Sequence, residues 1–138
     1  LMWDSAMAEN GILKVGRLTD FQAHQIEHQL GAYTDCNHGQ GLAVIHPAYY
    51  RHILKDAPEK FTRFAKEVFG KETPEEGLKA LTSFIRECGL PTKMGQLKSK
   101  VEITPQVLRQ VADTCNIIQC NPRQLSRDEI YEILCECL

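Results

Sequence analysis

Apolar residues recur along this chain at spacings of three and four, and no stretch alternates with a period of two for long enough to make a sheet. The pattern therefore predicts helices throughout. From Leu1 to about Val15, the positions Met2, Ala6, Ile12 and Leu13 line one helix face, although Asn10 and Gly11 weaken its second half. Thr19 or Asp20 is a candidate N-cap for a helix that carries His24 and His28 and that Gly31 would end. Asp35 to Asn37 form a short loop. Asn37 then caps a helix that opens at His38, runs to about Leu54 and is expected to bend at Pro47. Its content of Ala, Val, Ile and Tyr predicts burial. Pro58 suits the first turn of a helix ending at Gly70, in which Phe61, Phe64, Ala65, Val68 and Phe69 form an apolar stripe that core packing explains. Thr73-Pro74-Glu75-Glu76 supplies a cap, a first-turn proline and two acids for the next helix, which Gly89 ends before the extended Leu90-Pro91-Thr92. Lys93 to Ile103 reads as a loop or short turn. Thr104-Pro105 repeats the start signature, and Ser126-Arg127-Asp128-Glu129 fits a capping box ahead of Ile130, Ile133 and Leu134. The expected fold is an all-α helical bundle without internal repeat or low-complexity linker.

Composition sets the scale of that bundle. With 138 residues, 43% hydrophobic and 25% charged, the chain has the makings of one ordinary globular domain. Its formal net charge of -2, with lysines and arginines spread along the sequence, offers no basic field, so nucleic acid and anionic membrane are not expected partners. No apolar run approaches the roughly 20 residues of a membrane span, and no charged-then-apolar leader opens the sequence. The expected location is cytoplasmic. Six cysteines permit a disulfide framework, but a chain with this much apolar content and no sign of secretion is expected to keep its thiols reduced. Neither the Cys135/Cys137 nor the Cys115/Cys120 spacing is that of a zinc ribbon or redox motif, and Cys88 and Cys115 read as small core residues.

Chemistry concentrates in His24, His28 and His38. On a helix, residues four apart share a face, so His24 and His28 can point into one site, with His38 arriving from the next element. Three imidazoles so placed are a common way to hold a divalent cation such as zinc or ferrous iron. The plain alternative is two histidines on a solvated face and one at a cap. A sharper rival lies in His24-Gln25-Ile26-Glu27-His28, which spells the inverted zinc-protease pattern: both histidines bind zinc, Glu27 is the general base, and a distal glutamate completes the site. A third alternative is a helical interaction module with no chemistry. His46 and His52 read as packing or surface groups, and Tyr33, Tyr49 and Tyr50 as pocket edge or core. Gly39 and Gly41 admit either close ligand approach or close helix packing, and no phosphate-binding loop is present.

The segment from Leu1 to Pro47 resembles the metal-dependent group III, or iron-containing, alcohol dehydrogenases, and within them the butanol dehydrogenase type. The resemblance rests on Leu1-Met2-Trp3, Asn10-Gly11, Asp20 ahead of Ala23-His24 and His28, and His38-Gly39-Gln40-Gly41-Leu42-Ala43 followed by Pro47. From Ala48 to Leu138 the likeness is looser, through Gly89-Leu90-Pro91-Thr92 and the closing helix after Leu125-Ser126. It implies a helical domain like the carboxy-terminal domain of that family. His24 and His38 would be metal ligands. His28 would line the site beside the nicotinamide of NAD or NADP and handle a proton. An aspartate, a further histidine and the nucleotide-binding turn would come from an amino-terminal part that this chain lacks, making residues 1–138 a partial metal-binding domain that is inactive alone. The implied chemistry is oxidation of a small alcohol or reduction of an aldehyde, with Fe2+ or Zn2+ polarising the substrate oxygen, in a homo-oligomer. On this reading His38 is essential and Glu27 dispensable, whereas the protease reading reverses them. An apolar face left unmatched would make the isolated chain self-associate or pack loosely.

Overall fold

The computed structural model describes Leu1 to Leu138 and contains seven α-helices and no strand: α1 Met2–Glu9, α2 Gln22–Thr34, α3 His38–Ile53, α4 Pro58–Phe69, α5 Pro74–Glu87, α6 Pro105–Thr114 and α7 Arg127–Glu136. Four of the expected starts form through local side-chain chemistry. Asn37 accepts from the Gln40 N–H and Thr104 from the Val107 N–H, while Thr73/Glu76 and Ser126/Glu129 close reciprocal capping boxes. Gly70 ends α4 at φ 61°, a left-handed conformation in which its N–H reaches the Lys66 carbonyl.

Three expectations about the chain's course change. The first helix does not reach Val15. It stops at Glu9, Asn10 caps it, Gly11 turns at φ 87°, and Ile12–Lys14 makes a single tight turn. Nothing in α1 is buried, so no core contact carries the helix past two poor helix formers. Conversely, α2 runs through Gly31 to Thr34 and turns at Asp35, whose φ is 54°. Leu30 and Thr34 are fully buried, and packing of that face outweighs the roughly 1 kcal/mol that a helical glycine costs. At the helix start, neither Thr19 nor Asp20 is the N-cap; Phe21 is, without a side-chain bond, although Asp20 Oδ1 does accept from the Gln22 N–H at 3.1 Å. Cys88, expected in the core, is exposed, whereas Cys115 is buried; all six cysteines are free thiols.

The helices pack chiefly against their sequence neighbours, α2 with α3, α4 with α5 and α6 with α7, with α3 also meeting α5 and α7, and α2 meeting α6. One core results, built from Ile26 and Leu30 of α2, Val44, Ile45, Ala48 and Tyr49 of α3, Leu108 and Val111 of α6, and Ile133 and Leu134 of α7. The segment after α5 is more than a connection. Met94 and Leu97 enter that core, and the Met94 and Lys100 N–H groups bond the carbonyls of Cys137 and Thr34.

The aromatic stripe of α4 is only partly core. Ala65 is fully buried, Phe61, Phe64 and Phe69 are half-buried, and Val68 is exposed. The close contact is instead backbone-deep, because a Cβ built on Gly77 of α5 would collide with Ala65 Cβ and lie 2.7 Å from its Cα. Alanine gains about 1 kcal/mol of helix propensity over glycine, but overpacking against backbone costs about 1–3 kcal/mol or more. Gly77→Ala is therefore expected to lower the urea midpoint. Gly95→Ala, which would meet nothing within 4 Å, should not. Equal midpoints for the two variants would show that α4 and α5 can separate freely.

Candidate metal centre

The sequence Phe21-Gln22-Ala23-His24 through His38 folds back on itself because α2 and α3 are joined by a loop of only Asp35, Cys36 and Asn37. That hairpin brings three imidazoles together. The ring centroids of His24 and His28 lie 6.1 Å apart, those of His24 and His38 5.5 Å, and those of His28 and His38 5.2 Å. His28 and His38 are exposed and His24 is half-buried, so the cluster opens at one side of the hairpin.

Phe21 forms its floor, stacked on His24 at 4.3 Å with 13° between the planes and edge-on to His28 at 6.3 Å. The ammonium of Lys14 lies 5.1 Å above that phenyl ring, linking the segment before α2 to the site. His46 also approaches, its ring 6.1 Å from His24, while its Nδ1–H donates to the Leu42 carbonyl at 2.9 Å. It is thus a packing group with one nitrogen engaged, placed nearer the cluster than its position in the sequence suggests. His52 lies elsewhere, bonded to Glu129. Burial, followed by the nearby His46 and His38, holds the His24 imidazolium form below its ordinary range, which favours the neutral ring that binds metals. A cleft of about 310 Å³ borders His24 and His46 and is walled by Glu9, Lys14, Asp20 and Tyr50.

Glu27, to which the dehydrogenase reading gives no role, is the most buried member of the group, with 1% of its surface exposed. One carboxylate oxygen bonds His38 Nδ1 and the other receives the Cys36 thiol at 3.9 Å. Donor atoms of Glu27, His28 and His38 all lie within 4.8 Å of one another. A protease base must face a water over the metal, and this carboxylate is turned into the helix pair instead. Glycine at position 41 is what admits it: a Cβ there would lie 2.5 Å from Glu27 Oε1 and 2.8 Å from its Cγ. Close packing, not ligand approach, accounts for Gly41.

Tyr49 is wholly buried and serves the core, its hydroxyl donating to Asp20 Oδ2 at 2.7 Å; Tyr50 is half-buried against His46 and Phe61. Two contributors escaped the sequence reading. Phe21 carried a weak signal, its position three residues before His24 on a helix start. The pairing of Glu27 with His38 carried none, since it depends on how the hairpin closes.

No helix is long and apolar enough to cross a membrane. The carboxy-terminal part of the Fe-containing alcohol dehydrogenase family matches residues 2–138. NADH-dependent butanol dehydrogenases A and B of Clostridium acetobutylicum are 30% and 36% identical to the chain over 96% of its length, and the chain spans 36% of each. The crystal structure of NADH-dependent butanol dehydrogenase A from Thermotoga maritima superposes with a TM-score of 0.84 at 28% identity, covering 98% of this chain and 37% of that one. With a helical hairpin that gathers His24, His28 and His38, and with that match along nearly its whole length, the chain belongs to the iron-containing alcohol dehydrogenase family, in the region of its carboxy-terminal helical domain.

Proposed function

We propose that residues 1–138 supply part of the metal site and substrate pocket of a nicotinamide-dependent alcohol dehydrogenase or aldehyde reductase. The observation that carries this reading is the convergence of His24 and His38 from two helices, with ring centroids 5.5 Å apart. The donor chemistry fits a divalent ion, since neutral imidazoles suit both Fe2+ and Zn2+. A divalent ion held there supplies Lewis acidity toward the alcohol or aldehyde oxygen, and NAD or NADP supplies the hydride acceptor or donor.

The chain's own residues have separate tasks. His24 and His38 hold the ion, and the Phe21 ring stacked beneath His24 keeps that imidazole in one orientation. His28, exposed and 5.2 Å from His38 between ring centroids, is placed to take the hydroxyl proton in alcohol oxidation and return it in aldehyde reduction. An amino-terminal part of the enzyme would contribute the remaining ligands and the nucleotide site. That part would also cover the apolar surface of Leu1, Met2, Trp3, Ile12, Leu13 and Val15, all exposed in this chain. The substrates we propose are small alcohols and aldehydes, in a cytoplasmic homo-oligomer.

The test is an anomalous-scattering map at the metal edge of crystals soaked in Zn2+ or Fe2+. Contact by His24 and His38 is the expected result. An ion held by His24 and His28 alone, or one held directly by the Glu27 carboxylate, would overturn this assignment of the ligands.

A further inference from the structure

We infer that Glu27 is a positioning residue for His38: its buried carboxylate accepts the Nδ1–H of the ring and so presents Nε2, with its lone pair, as the metal-binding nitrogen. The metal part of this inference rests on the proposed ligand role of His38; the hydrogen-bond part does not.

An ionised carboxylate only accepts hydrogen bonds. The contact between Glu27 Oε2 and His38 Nδ1 therefore places the proton of the neutral ring on Nδ1 and leaves Nε2 bare. Carboxylates stationed behind metal-binding histidines act in this way elsewhere, fixing tautomer and ring orientation and raising ligand basicity. Three features hold the acid in place. It is 1% exposed, whereas the His38 side chain is 52% exposed, so the acid is the partner that packing holds. The Cys36 thiol engages the second oxygen from the loop that joins the two helices. Gly41 leaves the space it fills, for any side chain there would press on Oε1 and Cγ. The site thus depends on a backbone position in α3 that touches no ligand nitrogen.

The experiment uses the 138-residue chain with 15N-labelled histidine. A long-range 1H–15N spectrum at about pH 8, where an ordinary imidazole with pKa near 6.5 is neutral, is expected to show His38 protonated at Nδ1. Glu27→Leu should lose that preference, as should Gly41→Ala, which keeps the acid but displaces it. Glu27→Gln, whose amide oxygen can still accept, should retain it at least in part. In parallel, Zn2+ and Co2+ titrations should show binding weakened about 10- to 100-fold by Glu27→Leu. An Nε2–H tautomer at His38 in the parent chain, or one unchanged in both Glu27→Leu and Gly41→Ala, would overturn the inference. So would an unchanged metal affinity in Glu27→Leu when the parent binds, because Glu27 would then be structural only. If the parent chain binds neither ion, the ligands of the amino-terminal part are needed to hold it, and the spectrum decides whether Glu27 orients the ring.

Discussion

Alanine at His38 or at His24 is expected to weaken Zn2+ or Co2+ binding by more than the roughly 10- to 100-fold that follows loss of a partner behind a ligand, because each change removes a ligand outright. His28→Ala should leave that affinity within about tenfold. In the complete enzyme it should instead lower turnover by about 100- to 10,000-fold, the range for loss of a positioned acid–base group. The separation follows from the geometry. All three rings lie within 5.2–6.1 Å of one another, so proximity alone does not distinguish them. Their surroundings do. His24 is half-buried on the Phe21 ring and its neutral form is favoured, His38 is oriented through Nδ1 by a buried acid, and His28 is exposed with the edge of Phe21 beside it. Competition titration with a chromophoric chelator reads the affinities, and circular dichroism checks that each variant folds. Equal losses for His24→Ala and His28→Ala, with His38→Ala unaffected, would move the ion to the pair on α2. Losses at His28 and His38 together with Glu27, and none at His24, would move it to the carboxylate-containing set.

What could be read from the sequence divides by the range of the interactions responsible. The caps at Asn37, Thr73, Thr104 and Ser126 depend on groups three residues apart, and each forms as its local pattern predicts. The histidine cluster was legible for a similar reason: four residues make one helical turn, and a short loop brings His38 back against that turn. Legibility fails where a contact from another element decides. Gly31 looks like a stop but lies inside α2, because the burial of Leu30 and Thr34 carries the helix on. Cys88 has the size of a core residue, yet it caps α5 where nothing covers it. Glu27 reads either as a protease base or as a dispensable acid until α3 closes over it with a glycine opposite. The stripe on α4 shows the same limit, since Val68 has the right spacing and too little packed against it.

Gln22→Leu is expected to destabilise the chain by about 3 kcal/mol or more, although it keeps nearly the same volume. The amide joins three parts of the fold. Its Nε2 donates to Tyr49 Oη at 3.0 Å and to the Arg123 carbonyl at 2.9 Å, and its Oε1 accepts from the Leu125 N–H at 2.7 Å. Gln22 is 5% exposed and Leu125 2%, so water cannot readily replace the lost partner of that N–H. Leaving one buried polar group unsatisfied costs about 1–3 kcal/mol, and this substitution strands the Leu125 donor and weakens support for two oxygens. Tyr49 still has Asp20 as an acceptor; burial first, then that carboxylate, push the phenol pKa upward, so the hydroxyl keeps its proton as donor. The remaining imbalance falls on the Arg123–Leu125 segment, which leads into α7, and on the first turn of α2, two residues before His24. Gln29→Leu, which breaks only a solvent-facing bond to Thr114, should stay within about 0.5 kcal/mol. Urea denaturation of the two variants decides the matter. Equal midpoints would mean that the interior amide contributes no more than the surface one.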